Sequence, residues 1–155
     1  SEFSNTYKYL EIDIVGEGDL KEEILTFANS MNVKINLLGK IQYEDLLKIY
    51  NQYIFFISTS LFEGNPKSIL EAMASGCVVI ASNIDNHSEL INNKESGYLF
   101  DFEKPEILNL YNKLRDQKKQ LETVSNAAMR EVIKKNSLEK ISKEIHLDYL
   151  RVSKS

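Results

Sequence analysis

Two glutamates are the residues of this chain best suited to hold the hydroxyl groups of a sugar. Glu63 lies just before a segment with a helical pattern, and Glu71 lies within that segment, at E-x(7)-E spacing. A carboxylate accepts hydrogen bonds from two neighbouring hydroxyls, as on a ribose or a sugar ring. The pair therefore suggests a site for a sugar, a nucleotide or both.

The residues between the two glutamates predict a helix that begins at an anion site. Asn65 is a favourable N-cap residue, Pro66 suits the first helical position, and Gly76 suits the C-terminal end. Free N–H groups and the positive end of the helix dipole attract anions such as phosphate. An anion site is therefore expected beside Glu63.

Both glutamates also have purely structural interpretations. Glu63 can simply complement the dipole of the helix that follows it. Glu71 shares a helix face with Lys67 and Ser75. It can therefore be a solvated residue that pairs with Lys67, although the Lys-before-Glu order is the weaker orientation.

The histidines and the cysteine give no sign of a metal or nucleophilic site. His87 and His146 lack metal-ligand neighbours in the sequence, and we expect both at the surface. Glu89 stands at the N-x-x-E spacing that completes a capping box with Asn86, which is an alternative to ligand contact. Cys77 is the only cysteine, which excludes an internal disulfide and fits a reducing cytosol.

Alternating strand and helix patterns must position these residues. The predicted strands are Tyr9–Val15, Val33–Leu38, Tyr53–Ser58, Val78–Ala81 and Tyr98–Phe100. The predicted helices are Asp19–Met31, Glu44–Asn51, Pro66–Ser75 and a short His87–Ile91, followed by a charged helical tail from Pro105 to about Arg151. This order predicts an α/β fold, a Rossmann-like parallel sheet of about five strands with helices on both faces.

Glycines follow three of these strands, at the edge of the sheet where ligands bind in such folds. They are Gly16, Gly39 and Gly64. Glycine lets the backbone turn sharply and approach a ligand closely, but strand-to-helix turns favour glycine for structural reasons as well. The third strand, Tyr53–Ser58, is an unbroken apolar run, which predicts burial on both faces.

Composition excludes several classes of protein. The chain has 155 residues and a net charge of −4, which argues against a nucleic-acid-binding surface. No apolar run approaches the ~20 residues of a membrane-spanning helix. Residues 1–3 resemble a cloning remnant, which leaves residues 4–155 as a single expected domain.

The segment from Ser58 to Ala81, STSLFEGNPKSILEAMASGCVVIA, closely resembles the signature of family 4 retaining glycosyltransferases of the GT-B fold. The matching landmarks are Ser60, Glu63-Gly64, Ile69-Leu70, Glu71 to Ala74, Gly76 and Val78 to Ala81. Similar landmarks outside it are Ile14–Gly18, Leu37–Ile41, Ala81-Ser82, Glu89–Ile91 and Ser96–Leu99. The resemblance spans roughly Tyr9 to Phe100, and more loosely the helical tail.

The resemblance implies the C-terminal, donor-binding half of a two-domain enzyme. Such an enzyme transfers a sugar with retention from a nucleotide-diphosphate sugar to a glycan or lipid-linked acceptor. By resemblance, Glu63 is the catalytic glutamate that holds the donor sugar, and Glu71 holds the ribose. The other implied donor-binding residues are Gly64, Asn65, Pro66, Ser68 and Ile69 at the diphosphate and sugar, Gly39, Lys40 and Ile41 at the base, and Gly16.

No metal or other cofactor is implied, because a helix N-terminus can stabilise a leaving diphosphate without a cation. A UDP-linked sugar is one candidate donor. The resemblance leaves two other functions open: a non-catalytic nucleotide-sugar-binding module, or another GT-B enzyme such as an epimerase. The expected location is the cytoplasm, with attachment of the intact protein to the inner membrane face as an alternative.

The sequence also departs from the family pattern. No segment before Tyr9 matches the family's earlier strand, loop and helix, whose Arg and Lys contact the diphosphate, and no N-terminal acceptor domain is present. Asn65 replaces the usual aromatic residue. Without the earlier strand, either Tyr9–Val15 pairs directly with Tyr53–Ser58, or a second copy of the chain covers the open edge. We also expect the isolated chain to lack transferase activity.

Overall fold

The computed structural model describes residues 10–31, 33–102 and 106–136, in which strands and helices alternate. The strands are β1 (Glu11–Val15), β2 (Lys34–Gly39), β3 (Phe55–Ser58), β4 (Val78–Ser82) and β5 (Tyr98–Phe100). The helices are α1 (Lys21–Met31), α2 (Tyr43–Tyr50), α3 (Lys67–Ala74), α4 (Asp85–Leu90), α5 (Glu106–Leu114) and α6 (Lys118–Asn136). All five predicted strands are confirmed, and their ends differ from the predicted ones by at most two residues. The tail predicted beyond residue 136 lies outside the described residues.

The five strands belong to two compact units, one that ends at Leu46 and one that begins at Leu47. In the first unit, β1 and β2 form a parallel pair, and α1 packs against β2. In the second unit, the parallel sheet has the order β3-β4-β5. The α/β class and the parallel pairing are therefore as predicted, with the strands divided between a two-stranded and a three-stranded sheet.

Hydrogen bonds between polar side chains fix the register of the first unit's sheet. Glu11 lies opposite Lys34, and Asp13 lies opposite Asn36. The Asn36 amide donates to Glu11 Oε1 at 2.7 Å and to Asp13 Oδ1 at 2.6 Å, and Lys34 Nζ lies 2.6 Å from Glu11 Oε1. The hydrogen bonds from Lys34 and then Asn36 lower the pKa of Glu11. A slip of one residue would turn these side chains to opposite faces and break the contacts.

The core of the second unit is built around its central strand. Every residue of β4 is buried. The core cluster contains Val78, Ile80, Tyr98, Phe100, Leu114, Leu121 and Val124. Helix α6 packs against both α3 and β4. An apolar run that is buried throughout is typical of a central parallel strand.

The prediction that the third strand is buried on both faces is wrong. β3 pairs with β4 alone among the described strands, so it lies at an edge of the three-stranded sheet. Ile57 is therefore 40% exposed, and Ile54, just before β3, is 61% exposed. A run of apolar residues does not distinguish an edge strand from a central one.

Cys77 has a structural role at the end of α3. Its thiol is buried and donates to the carbonyl of Tyr50 at 3.2 Å. Burial raises the pKa of this thiol to about 11, because a thiolate would lose its solvation. The thiol is therefore protonated at neutral pH, which rules it out as a ready nucleophile.

Direct pairing of the first and third predicted strands is not observed. Among the described strands, β1 pairs with β2 and β3 pairs with β4.

Within the described residues, no helix is long and apolar enough to cross a bilayer.

Replacement of Gly97 should reveal how tightly β5 enters the core. A Cβ atom at this position would lie 2.9 Å from Ile91 Cγ2 and 3.0 Å from the carbonyl oxygen of Val79. We expect Gly97→Ala to lower the free energy of unfolding by about 1–3 kcal/mol, because the buried neighbours must shift. The control is Gly64→Ala, where a Cβ atom meets nothing within 4 Å. Equal midpoints of urea unfolding for the two variants would contradict this packing.

Self-association through an open strand edge stays a prediction. β3 pairs on one side only among the described strands, and Ile54 and Ile57 are exposed there. Open apolar edges attract further strands. We expect light scattering at micromolar concentration to give a mass above that of one chain. A monodisperse monomer would refute association.

Candidate functional site

Helix α3 begins at the carboxyl end of β3, one residue later than predicted. Lys67 is its first residue, Pro66 occupies the cap position with a ψ of 69°, and no side chain caps the helix. The N-cap assignment of Asn65 is therefore wrong. Its carbonyl instead accepts a hydrogen bond from the Lys67 amide at 2.8 Å, in a turn before the helix.

The other end of α3 is closed as predicted by Gly76, whose φ is +86°. The Gly76 amide bonds to the Met73 carbonyl at 3.2 Å, and the Cys77 amide bonds to the Ala72 carbonyl at 3.0 Å. This is the pattern of a Schellman cap, which favours glycine because its backbone is left-handed. The chain continues from this cap directly into β4. Helix α3 therefore connects β3 and β4, which are adjacent parallel strands.

The first turn of α3 offers backbone donors to a ligand. Among the described residues, none accepts a hydrogen bond from the amides of Gly64, Asn65 and Ser68. The Ile69 amide, in contrast, already bonds to the Pro66 carbonyl at 3.1 Å, and proline has no N–H. Of the five predicted residues around the diphosphate, three can therefore donate from the backbone, and Pro66 and Ile69 can only contribute shape.

Glu63 is held at the entrance to this turn. Its side chain is half-buried, and its Oε1 accepts a hydrogen bond from Ser60 Oγ at 2.7 Å. No second described residue is found bonded to this carboxylate. One oxygen is therefore oriented by the protein, while the other is available to a hydroxyl of a ligand.

Glu71 lies one turn into α3 and is half-buried. Within the described part of the chain, no ion pair joins it to Lys67, which is exposed. The structural interpretation of Glu71 as a surface partner of Lys67 therefore finds no support. Its carboxylate is available to bind hydroxyl groups.

The loop that carries Glu63 is anchored by residues that the sequence analysis did not assign to the site. Ser82 Oγ, at the end of β4, donates to the Ser60 carbonyl at 2.5 Å. Asn86 Nδ2, in α4, donates to the Gly64 carbonyl at 2.9 Å. The position of Ser82 at the site was predictable from the sequence, because polar residues that end adjacent parallel strands meet at one edge of the sheet.

Two expectations about α4 are wrong. His87 is 0% exposed rather than at the surface. The helix is capped by the backbone at Ile84, so Asn86 lies inside it and forms no capping box with Glu89, which is exposed. Asn86 bonds to Gly64 instead, because the carboxyl edge of the sheet brings the two loops together.

The remaining predicted site residues lie in the first unit. The Gly16 amide donates to the Gly39 carbonyl at 2.8 Å, and both glycines have positive φ values, +124° and +68°. Side chains rarely adopt these conformations, so the turns themselves explain both glycines. Lys40 is exposed and Ile41 is half-buried.

Searched across the described residues, the structure holds no cluster of three or more His, Cys, Asp or Glu side chains that could hold a metal ion. The candidate site thus consists of backbone amides and two carboxylates. Its donors suit an anion, and its carboxylates suit hydroxyl groups.

Comparison with known families agrees with this arrangement. The family model for "Glycosyl transferases group 1" matches residues 4–140. The chain belongs to this family. The resemblance found in the motif around Glu63 and Glu71 is thereby confirmed.

One similar curated protein is the UDP-Gal:alpha-D-GlcNAc-diphosphoundecaprenol alpha-1,3-galactosyltransferase of Escherichia coli. It is 35% identical over 89 residues, which are 57% of this chain and 23% of that protein. The chain thus matches less than a quarter of the length of this relative.

Solved structures show the same fold. Anabaena Alr3699/HepE in complex with UDP has a TM-score of 0.84 at 20% identity, over 92% of this chain and 41% of that chain. The C-terminal domain of a glycosyl transferase group 1 family protein (LpcC) from Francisella tularensis has a TM-score of 0.72 at 18% identity, over 88% of this chain and 93% of that chain. This chain therefore has the fold of a C-terminal domain of the family.

Proposed function

We propose that the chain, residues 4–155, is the donor-binding half of a retaining glycosyltransferase. The intact enzyme transfers a sugar from a nucleotide-diphosphate sugar to a glycan or lipid-linked acceptor. The observation that carries the proposal is the start of α3, where the unbonded amides of Gly64, Asn65 and Ser68 lie between two half-buried glutamates, Glu63 and Glu71.

The backbone amides and the two carboxylates bind different parts of the donor. The amides and the positive end of the α3 dipole bind the diphosphate, whose charge grows as the sugar leaves. Glu71 accepts hydrogen bonds from the ribose hydroxyls. Glu63 is the catalytic glutamate, and its free oxygen accepts a hydroxyl of the donor sugar. Pro66 and Ile69 shape the turn beneath the diphosphate.

The first unit carries the residues that the family resemblance assigns to the base. The backbone of Gly39, Lys40 and Ile41 borders the base, and the turn at Gly16 lies beside Gly39. A uridine base is supported by the similar Anabaena structure, which contains UDP, and by the E. coli relative, which is named for UDP-Gal. The name of that relative also supports a lipid-linked acceptor.

The reaction proceeds without a metal, because the start of α3 supplies the positive potential that a cation would otherwise provide. The acceptor binds to a second, N-terminal domain of the intact protein, which works in the cytoplasm or at the inner face of the membrane. The match to less than a quarter of the E. coli relative supports this division.

Replacement of Glu71 should weaken nucleotide binding. We expect Glu71→Ala in the full chain to lose about 1.5–3 kcal/mol of UDP binding, roughly 10- to 150-fold, because a charge-assisted hydrogen bond is removed. Titration calorimetry with UDP measures the loss. The matched control is Glu89→Ala, a neighbouring exposed glutamate on α4. Equal affinities of the two variants would refute the ribose contact.

Replacement of Glu63 should affect the sugar more than the nucleotide. We expect Glu63→Ala to bind UDP nearly as well as the wild type and to lose affinity mainly for the UDP-sugar. The experiment compares UDP with UDP-galactose, UDP-glucose and UDP-N-acetylglucosamine, again beside Glu89→Ala. Losses of the same size for nucleotide and nucleotide sugar would contradict the assignment.

The isolated chain should bind its donor but transfer no sugar. Alignment of two substrates contributes about 7–11 kcal/mol to such reactions, and we assign the acceptor's part in that alignment to the second domain of the intact protein. Radiolabelled UDP-sugar with a mixture of lipid-linked acceptors measures transfer. Sugar transfer by this chain alone would refute the two-domain proposal.

A further inference from the structure

A buried imidazole directs all its observed hydrogen bonds to one serine. His87 is 0% exposed, and its Nδ1 lies 2.8 Å from the Ser82 carbonyl oxygen and 3.2 Å from Ser82 Oγ. Its Nε2 is buried and has no hydrogen-bond partner in the described structure. Among the described residues, Ser82 is therefore the one hydrogen-bond partner of the imidazole.

The directions of these hydrogen bonds follow from the number of hydrogens available. The single hydroxyl hydrogen of Ser82 is donated to the Ser60 carbonyl at 2.5 Å. A carbonyl oxygen can only accept, so His87 Nδ1 must carry a hydrogen and donate it to Ser82. A neutral imidazole then has its lone pair on Nε2, which is the atom without a partner.

The chain of hydrogen bonds ends at the catalytic glutamate. His87 fixes Ser82, Ser82 holds the Ser60 carbonyl, and the Ser60 hydroxyl donates to Glu63 Oε1 at 2.7 Å. At the far end of the same loop, Asn86 holds the Gly64 carbonyl at 2.9 Å. Helix α4 therefore contacts both ends of the loop that carries Glu63, at Ser60 through His87 and Ser82 and at Gly64 through Asn86.

Since Nε2 has no partner among the described residues, Nδ1 is the nitrogen that explains an imidazole at this position. A buried polar atom without a partner is destabilising, and an apolar side chain would fill the same space without one. Packing alone therefore does not explain a histidine at this position. The donor at Nδ1 does, because a leucine or methionine could not hold Ser82.

We propose that His87 is a positioning residue for the donor sugar. Its Nδ1–H orients Ser82, which sets the position of Ser60 and thereby the direction of the Glu63 carboxylate. This inference rests on the proposed function, since it assigns Glu63 to the sugar. His87 touches no ligand itself, so its loss affects the sugar-dependent part of binding and leaves the nucleotide-dependent part unchanged.

Three variants separate positioning from packing. The amide nitrogen of His87→Asn can take the place of Nδ1, whereas that of His87→Gln reaches the place of Nε2, and His87→Met fills the space without a donor. The measured quantity is the ratio of affinity for the UDP-sugar to affinity for UDP, in the full chain with UDP-galactose, UDP-glucose and UDP-N-acetylglucosamine.

We expect His87→Asn to keep the wild-type ratio even though it packs less well. His87→Gln and His87→Met should lower the ratio roughly 2- to 10-fold, the effect of one hydrogen bond. A packing role predicts the reverse order, with methionine tolerated better than asparagine. A ratio that is unchanged in His87→Met, or lowered equally in all three variants, would overturn the inference.

If the variants fail to fold, a measurement on the wild-type protein tests whether Nδ1 of His87 is a hydrogen-bond donor. Long-range ¹H–¹⁵N correlation spectra identify the imidazole tautomer, and His146→Gln assigns the two histidines. We expect Nδ1 of His87 to carry a hydrogen. An Nδ1 atom without a hydrogen would overturn the inference. Wild-type protein that binds neither UDP nor any of the three sugars would instead overturn the proposed function, and this inference with it.

Discussion

The hydrogen bond from Ser82 to the Ser60 carbonyl is the contact on which the candidate site depends. It joins the segments that follow β3 and β4, two adjacent parallel strands that end at the same edge of the sheet. It secures the Ser60 end of the loop, as the Asn86 amide secures the Gly64 end. Because this contact and the Asn86 contact secure both ends, Glu63 and the start of α3 keep a fixed geometry.

In the proposed function, electrostatics favour contacts of the two glutamates with the hydroxyl groups of the donor rather than with its diphosphate. A diphosphate is anionic, so a carboxylate beside it is unfavourable unless a positive potential intervenes. The unbonded amides of Gly64, Asn65 and Ser68 and the dipole of α3 provide that potential between Glu63 and Glu71. The carboxylates are then suited to neutral hydroxyl groups on either side of the phosphates. This division is what the proposed function requires.

Local chemistry made part of this structure predictable from the sequence. The helix from Lys67 to Ala74, its glycine cap at Gly76 and the strand after it follow from residue types alone. The pairing of Ser60 with Glu63 is also local, since the two residues are three positions apart. The resemblance to the family rested on the whole segment from Ser58 to Ala81 together with the landmarks outside it, and the match to residues 4–140 confirms it.

Long-range pairing made the rest unpredictable. Tyr53–Ser58 and Val78–Ala81 are both apolar runs, but only strand pairing makes the second central and leaves the first at an edge. His87 was expected at the surface because it lacks metal-ligand neighbours in the sequence, yet it is buried and its Nδ1 bonds to the Ser82 carbonyl at the end of β4. Asn86 has the spacing of a capping box, but the helix already begins at Asp85, and the Asn86 amide donates to the carbonyl of Gly64, which is far away in the sequence.

The most direct measurement is a titration of the ¹⁵N-labelled full chain with UDP, followed by amide chemical shifts. The central claim is that the start of α3 binds the diphosphate. The account predicts saturable shifts that are largest at the amides of Gly64, Asn65 and Ser68 and small at the buried amides of β4. The absence of saturable shifts, or shifts confined to residues away from this turn, would contradict it.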